Sequence, residues 1–212
     1  MKFEAMIFDL DGVLVFTDQF HYKAWGEVAR QLGIYFDEKV NDRLRGVSRM
    51  QSLDIILERY TGVPLAPAQK LALAEQKNNS YRALLQTMAP QDVPAEIRQT
   101  LQQLRNAGVK LAVGSSSKNA KLILQKTQLA GLFDAVADGN DITRSKPDPE
   151  VFLKAASFLG VAPQNSLVIE DAPAGIEAAK AGGFASASIG GAVPQGLAGY
   201  HLQTLADLLR FV

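Results

Sequence analysis

Four short segments carry the side chains that could do chemistry together: Asp9-Leu10-Asp11-Gly12, Ser115-Ser116-Ser117-Lys118-Asn119, Ser145-Lys146-Pro147 and Glu170-Asp171. Asp9 and Asp11 end an apolar run, and residues two apart on an extended chain start on the same side. Two such carboxylates repel, so one can keep its proton while the other stays ionised. That division suits a nucleophile beside a general acid/base. An Asp-Gly pair at a strand end also makes an ordinary turn, with Asp9 as a cap.

Ser115 to Asn119 follow an apolar run and open a helical pattern. Hydroxyls, free backbone N–H groups and a positive helix end together form an anion site, which Lys118 would strengthen. The same residues serve equally as ordinary N-caps. Pro147 biases Lys146 toward an extended conformation, from which a lysine could bridge a carboxylate and a phosphate as a point charge. A solvated loop lysine is the alternative. Glu170 and Asp171 close the apolar run Leu167-Val168-Ile169, where two acids are costly unless paired or bound to a cation. Oxygen ligands without His or Cys favour Mg²⁺; helix capping accounts more easily for one acid than for two. As a set, the four segments describe Mg²⁺-assisted phosphoryl transfer: in-line attack, charge neutralisation and positioning.

The elements that must position them follow from the hydrophobic pattern. Ala5 to Leu10 reads as a buried strand. Thr17 to Met88 turns helical, with apolar faces at Phe20, Ala24, Val28 and Leu32, at Leu53, Ile56, Leu57 and Tyr60, and along Leu71 to Leu85. Gly33 stops the first of these, and Gly62 with Pro64 the second. Beyond Pro90 and Pro94, Ile97, Leu101 and Leu104 share a helix face that Gly108 ends. Strands and helices then alternate: Val109 to Val113, Ala120 to Leu129, Phe133 to Ala137, Pro149 to Leu159, Leu167 to Ile169, Ala174 to Ala181 and Ala185 to Ile189. Alternating βα units imply a Rossmann-like parallel sheet with helices on both faces. The expected organisation is an α/β core of residues 1–15 and 93–212, interrupted after the first strand by a helical domain of residues 16–92. The four chemical segments then all fall at the carboxyl ends of strands, where open α/β sheets gather their functional groups.

The 212 residues are 47% hydrophobic and 21% charged, enough for a real core and unlike a disordered or fibrous chain. Lys+Arg and Asp+Glu both total 22, which argues against a nonspecific nucleic-acid binder. The absence of cysteine removes disulfides, thiolate metal sites and cysteine nucleophiles. The start carries Glu4 and Asp9 without a long apolar run, so no secretory signal is expected. The uncharged stretch Ala181 to Ala206 is too rich in Gly, Ser and Pro to span a bilayer. A cytoplasmic protein without nucleic-acid or membrane partners is expected.

On FDLDG (Phe8 to Gly12), the Ser-rich strand end, Lys146-Pro147 and IEDAPAGI (Ile169 to Ile176), nearly the whole chain resembles the haloacid dehalogenase superfamily of phosphotransferases. By that resemblance the helical insertion is the superfamily's small cap domain. Asp9 would be the nucleophile forming an aspartyl-phosphate, and Asp11 the general acid/base. One Mg²⁺ would be held by the Asp9 carboxylate, the Asp11 backbone carbonyl and Asp171, with Glu170 ligating directly or orienting a water. Ser115 and Lys146 would hold the phosphoryl group in transfer.

The insertion narrows the resemblance. Thr17, His21 and Trp25, then LRGVSR (Leu44 to Arg49) with Ser52, and KNNSY (Lys77 to Tyr81) are similar to the β-phosphoglucomutase family, whose matching residues close over a sugar phosphate. Arg49 would grip the non-transferring phosphate with Ser117, Lys118 and Asn119 of the Ser-rich loop, Ser116 lying among them. His21 would hydrogen-bond the general acid/base; Gly46, Val47 and Ser48 would border the sugar, and Lys77 would lie near it. From pattern alone, His21 is a surface or part-buried residue, Arg49 a solvated arginine and Trp25 core. Two departures stand out: Phe16 replaces the family's usual Asp in the expected hinge, and Arg45 replaces a common lysine, keeping the charge. The implied activity is the interconversion of β-D-glucose 1-phosphate and glucose 6-phosphate through a bisphosphate intermediate, by a monomer whose two parts make a complete site. A small-phosphate phosphatase would use the same core. A non-catalytic phosphosugar-binding module would have no use for a nucleophile beside a general acid. His201, near the chain's end, has no assigned role.

Overall fold

The computed structural model describes residues 2–44 and 47–212, so Arg45 and Gly46, expected beside the sugar, lie outside the described residues. The chain forms two compact units, Met1–Phe16 with Met88–Val212, and Thr17–Thr87.

The larger unit is built on six parallel strands: β1 (Ala5–Phe8), β2 (Lys110–Gly114), β3 (Ala135–Ala137), β4 (Ser166–Glu170), β5 (Ala185–Ile189) and β6 (Tyr200–Leu202). Their order is β3-β2-β1-β4-β5-β6, which puts β1 at the centre. Ala-Met-Ile-Phe is apolar at every position because a central parallel strand is covered on both faces. Ala5, Ile7, Ala112 and Val168 face α7 (Glu150–Leu159) and α8 (Pro173–Ala181), packing with Phe152, Ala155 and Ala178. The alternate residues Met6, Phe8, Leu111 and Val113 point to the opposite face. α5 (Ala95–Asn106) packs against β2 and buries Ile97, Leu101 and Leu104. Phe8 pairs with both Val113 on β2 and Ile169 on β4. That register brings the ends of β1, β2 and β4 level.

The smaller unit is all helical: α1 (Asp18–Gln31), α2 (Glu38–Asp42), α3 (Arg49–Leu57) and α4 (Pro67–Leu85). Trp25, Val28, Ile34, Val40, Leu53, Ile56, Leu73 and Ala74 form its core. The left-handed Gly33 (φ +67) ends α1, as its place after the apolar face predicts.

Several element boundaries depart from expectation. α4 begins four residues before Leu71, because Pro67 suits the first helical position and its opening turn carries no apolar periodicity. α6 (Ala120–Lys126) stops short of Leu129, the chain turning at Gln128 with φ +54. The unit boundaries fall after Phe16 and Thr87, not after residues 15 and 92. The Pro90–Asp92 turn belongs with the sheet, where Arg98 of α5 donates to the Pro90 carbonyl at 2.8 Å. α2, β6 and the 3₁₀ turn Leu205–Phe211 are additions to the expected elements. Each is short, and α2 and β6 lie in segments without clear periodicity.

Candidate active site

At the end of β1 the backbone turns through Gly12, whose φ is +93. A Cβ there would lie 2.1 Å from Asp171 Oδ2, so only glycine lets the Asp171 carboxylate rest against this loop. Gly175 does the same for the neighbouring acid: its Cβ would fall 1.8 Å from Glu170 Oε1. Glu170 is further fixed by the Ala172 N–H, which donates to its Oε2 at 2.8 Å.

Lys146 is the hub of this cluster. Its ammonium, 1% exposed, donates to Asp9 Oδ1 and to Glu170 Oε1, the latter at 2.7 Å. Burial opposes the ammonium's charge, but the Asp9 and Glu170 carboxylates outweigh it and lift Lys146 above the ordinary lysine value. Burial pushes the Asp9 carboxyl well up; Lys146 pulls it back, while Glu170, Asp171 and Asp11 add to the rise. Asp11 stands beside this group, bridged through the backbone to Val15. The ammonium thus meets two carboxylates, and two more act on Asp9.

This donor set fits a hard cation. It is all oxygen and carries excess negative charge, which a divalent ion would relieve. Among the described residues no group of three or more acids or imidazoles is arranged to hold a metal ion. Mg²⁺ suits such an open arrangement because it keeps several waters and takes few protein ligands.

The Ser-rich loop follows β2. Ser115 is buried and its Oγ accepts from the Ser117 N–H at 3.1 Å, while Ser117 Oγ accepts from the Asn119 N–H at 3.2 Å. Asn119 is buried and Lys118 exposed. Ser116 Oγ is buried with no hydrogen-bond partner among the described residues, a donor left over in a loop of donors. Sequence reasoning overlooks what supports this loop: the segment after β3. Gly139 N–H donates to the Ser117 carbonyl at 3.2 Å and Asn140 Nδ2 to the Lys118 carbonyl at 3.1 Å. Buried Asp138 holds Asn140 in turn, accepting its backbone N–H at 2.8 Å. The polar run Asp138-Gly139-Asn140-Asp141 at a strand end is the available signal.

The helical unit holds a second cluster, of opposite character. Thr17 precedes α1 and is buried, and its carbonyl accepts the His21 N–H at 3.1 Å. Buried Lys77 on α4 reaches His21 Nδ1 at 2.9 Å and lies over the rings of Tyr81 at 4.4 Å and Trp25 at 5.1 Å. An ammonium has only donors, so Nδ1 accepts and the neutral ring carries its proton on Nε2. Burial holds His21 well below the usual histidine range, and the charges of Lys77 and Arg49 push it further the same way. Arg49 donates to Asn78 Oδ1 at 2.8 Å. Ser48 has a local task as well: it caps α3, its Oγ accepting from Gln51 N–H at 3.3 Å. Val47 precedes it half-buried, and Ser52 is buried one turn along α3. Phe16 is 62% exposed. The expected residues therefore assemble as two clusters, each within its own unit: Asp9, Asp11, Lys146, Glu170 and Asp171 with the Ser-rich loop, and His21, Trp25, Arg49 and Lys77.

Comparisons with known proteins agree on one lineage. A family model for haloacid dehalogenase-like hydrolases matches residues 3–183. The chain is 38% identical over 211 residues to the β-phosphoglucomutase of Bacillus subtilis, covering 97% of this chain and 91% of that protein. It is 31% identical over 183 residues to a phosphorylated carbohydrates phosphatase of Thermotoga maritima, covering 85% and 82%. The crystal structure of a β-phosphoglucomutase from Clostridium difficile matches with a TM-score of 0.90 at 37% identity, covering 97% of this chain and 93% of that one.

Proposed function

Because the chain belongs to the haloacid dehalogenase superfamily and, within it, to the β-phosphoglucomutase-like family, we propose that it is a Mg²⁺-dependent mutase interconverting β-D-glucose 1-phosphate and glucose 6-phosphate. The observation that carries this reading is the pairing of a phosphoryl-transfer cluster with a second, cationic one in the same chain. Hydrolysis needs one phosphate site, whereas a mutase must hold a bisphosphate by both ends.

In this reading Asp9 carries the phosphoryl group. A sugar hydroxyl attacks it, its proton passes to Asp11, and the Asp9–phosphorus bond breaks as the new oxygen–phosphorus bond forms. The resulting bisphosphate turns end for end, and Asp9 then takes the other phosphoryl group while Asp11 returns its proton to the departing oxygen. Ser115 and Lys146 hold the group in transfer, and the other phosphate is assigned to Arg49 of the helical unit. His21, with its proton on Nε2, keeps a ring N–H donor available. Mg²⁺ would be held by Asp9, the Asp11 carbonyl and Asp171, with Glu170 ligating or orienting a water, and would neutralise charge on the transferring group. Trp25, Lys77, Ser48, Ser52 and the 45–47 segment border the sugar. The working form is a cytoplasmic monomer.

Phosphorus NMR of the protein with Mg²⁺, β-glucose 1-phosphate and a trace of bisphosphate tests the proposal. Glucose 6-phosphate without matching free phosphate is expected. Release of inorganic phosphate instead would make the chain a phosphatase.

A further inference from the structure

Arg49 occupies an unfavourable place. It is the first residue of α3, where the helix dipole disfavours a cation, and it is half-buried. Two other cations of the helical unit meet carboxylates: Arg43 pairs with Glu58 at 2.8 Å and Lys70 with Asp54 at 2.7 Å. Arg49 instead meets an amide oxygen, Asn78 Oδ1, at 2.8 Å. Glu75, one turn earlier on α4, is exposed and acts on Arg49 only through its field. An aspartate at position 78 has the same shape and would make the stronger, charge-assisted bond. It would also cancel the charge.

We propose that Asn78 is a positioning residue: it aims the Arg49 guanidinium at the non-transferring phosphate while leaving the positive charge free to bind it. An Arg⁺ fixed by a neutral acceptor keeps its remaining N–H donors and its full field for an incoming dianion. The side chain's rotamer freedom is given up before the ligand arrives, which sharpens affinity. This rests on the proposed assignment of Arg49 to that phosphate.

Steady-state mutase kinetics and thermal melting of Asn78→Asp, Asn78→Ala and Arg49→Ala test it, each with Mg²⁺, β-glucose 1-phosphate and a trace of bisphosphate. Asn78→Asp is expected to melt no lower than the parent yet raise KM about tenfold, with a smaller change in kcat. Asn78→Ala, which frees the guanidinium but spares its charge, is expected to raise KM about threefold. A purely structural role predicts the reverse for aspartate, a tighter bond and an unharmed KM. An unchanged or lower KM in Asn78→Asp overturns the proposal, as does a parental KM in Asn78→Ala, which decides alone should the aspartate variant not fold. If Arg49→Ala raises KM and Asn78→Asp does not, only this proposal falls. If Arg49→Ala leaves KM untouched, the phosphate assignment of Arg49 falls as well.

Discussion

The two units solve the problem of placing charge in opposite ways. In the sheet unit Lys146 and Glu170 are each 1% exposed and Asp9 7%, and they neutralise one another by direct contact. Asp9 and Glu170 sit at strand ends, and Lys146 reaches them from the loop between β3 and α7. In the helical unit Lys77 meets an imidazole nitrogen and two aromatic faces, and Arg49 meets an amide. The first arrangement pairs its ammonium by direct contact and still carries an excess of carboxylates, which suits a divalent cation. The second gathers positive charge against an imidazole, aromatic faces and an amide. Under the proposed function the difference would separate chemistry from recognition, the sheet unit supplying nucleophile and acid and the helix faces a reason for a phosphorylated sugar to be chosen over water.

Breaking the sheet-unit cluster should give the largest effects. Asp9→Asn removes the nucleophile and is expected to abolish both phosphoryl labelling and turnover, by about 10⁴-fold or more. Retained turnover in a labelling assay would remove Asp9 from that role. Lys146→Ala leaves two buried carboxylates without their counter-ion and should cost about 3–5 kcal/mol in urea unfolding. An equally stable variant would mean that the buried cluster relaxes or takes up protons freely. Gly175→Ala drives a methyl into Glu170, whose Oε1 would lie 1.8 Å away, and should cost about 1–3 kcal/mol in the same experiment.

The smallest effect sharpens the helical side. His21 titrates well below the usual histidine range when folded, so between that low value and about pH 6.5 the unfolded chain binds the extra proton. Stability should therefore fall as pH drops through this window, and not above it. His21→Gln should flatten that acid limb in urea titrations run at successive pH values. An identical slope in the variant would show that burial and the neighbouring charges do not hold the ring neutral.

The same contrast governs how much of the molecule is legible in its amino-acid sequence. Strand ends obey a topological rule, so Asp9, Ser115, Lys146 and Glu170 can be placed together from apolar runs and turn residues alone. Helix faces obey no such rule. His21, Arg49 and Lys77 are spread across three helices, and pattern alone makes His21 a surface or part-buried residue and Arg49 a solvated one. Only the resemblance singles them out, and the same holds for Trp25, which the structure also places in the core of its unit. Asn78 is silent inside KNNSY because an amide between a lysine and another amide carries no signal until its partner is known. The Asp138–Asp141 segment escapes notice for a different reason: its residues act by holding a loop's backbone, and turn chemistry looks the same whether or not it supports a site. His201, without a role from its sequence position, lies on β6 with its Nδ1 3.0 Å from Ser188 Oγ, a tie between neighbouring strands.

The central claim is that the helical unit's cations, and Arg49 above all, make a sugar phosphate the preferred acceptor over water. The most direct measurement compares the parent with Arg49→Ala in two reactions: mutase turnover of β-glucose 1-phosphate, and hydrolysis of a small phosphate ester with no second phosphate. The account predicts a loss of about 100-fold or more in the first and a far smaller loss in the second, as expected for removal of a charged contact made to only one substrate. Equal losses in both reactions would contradict it.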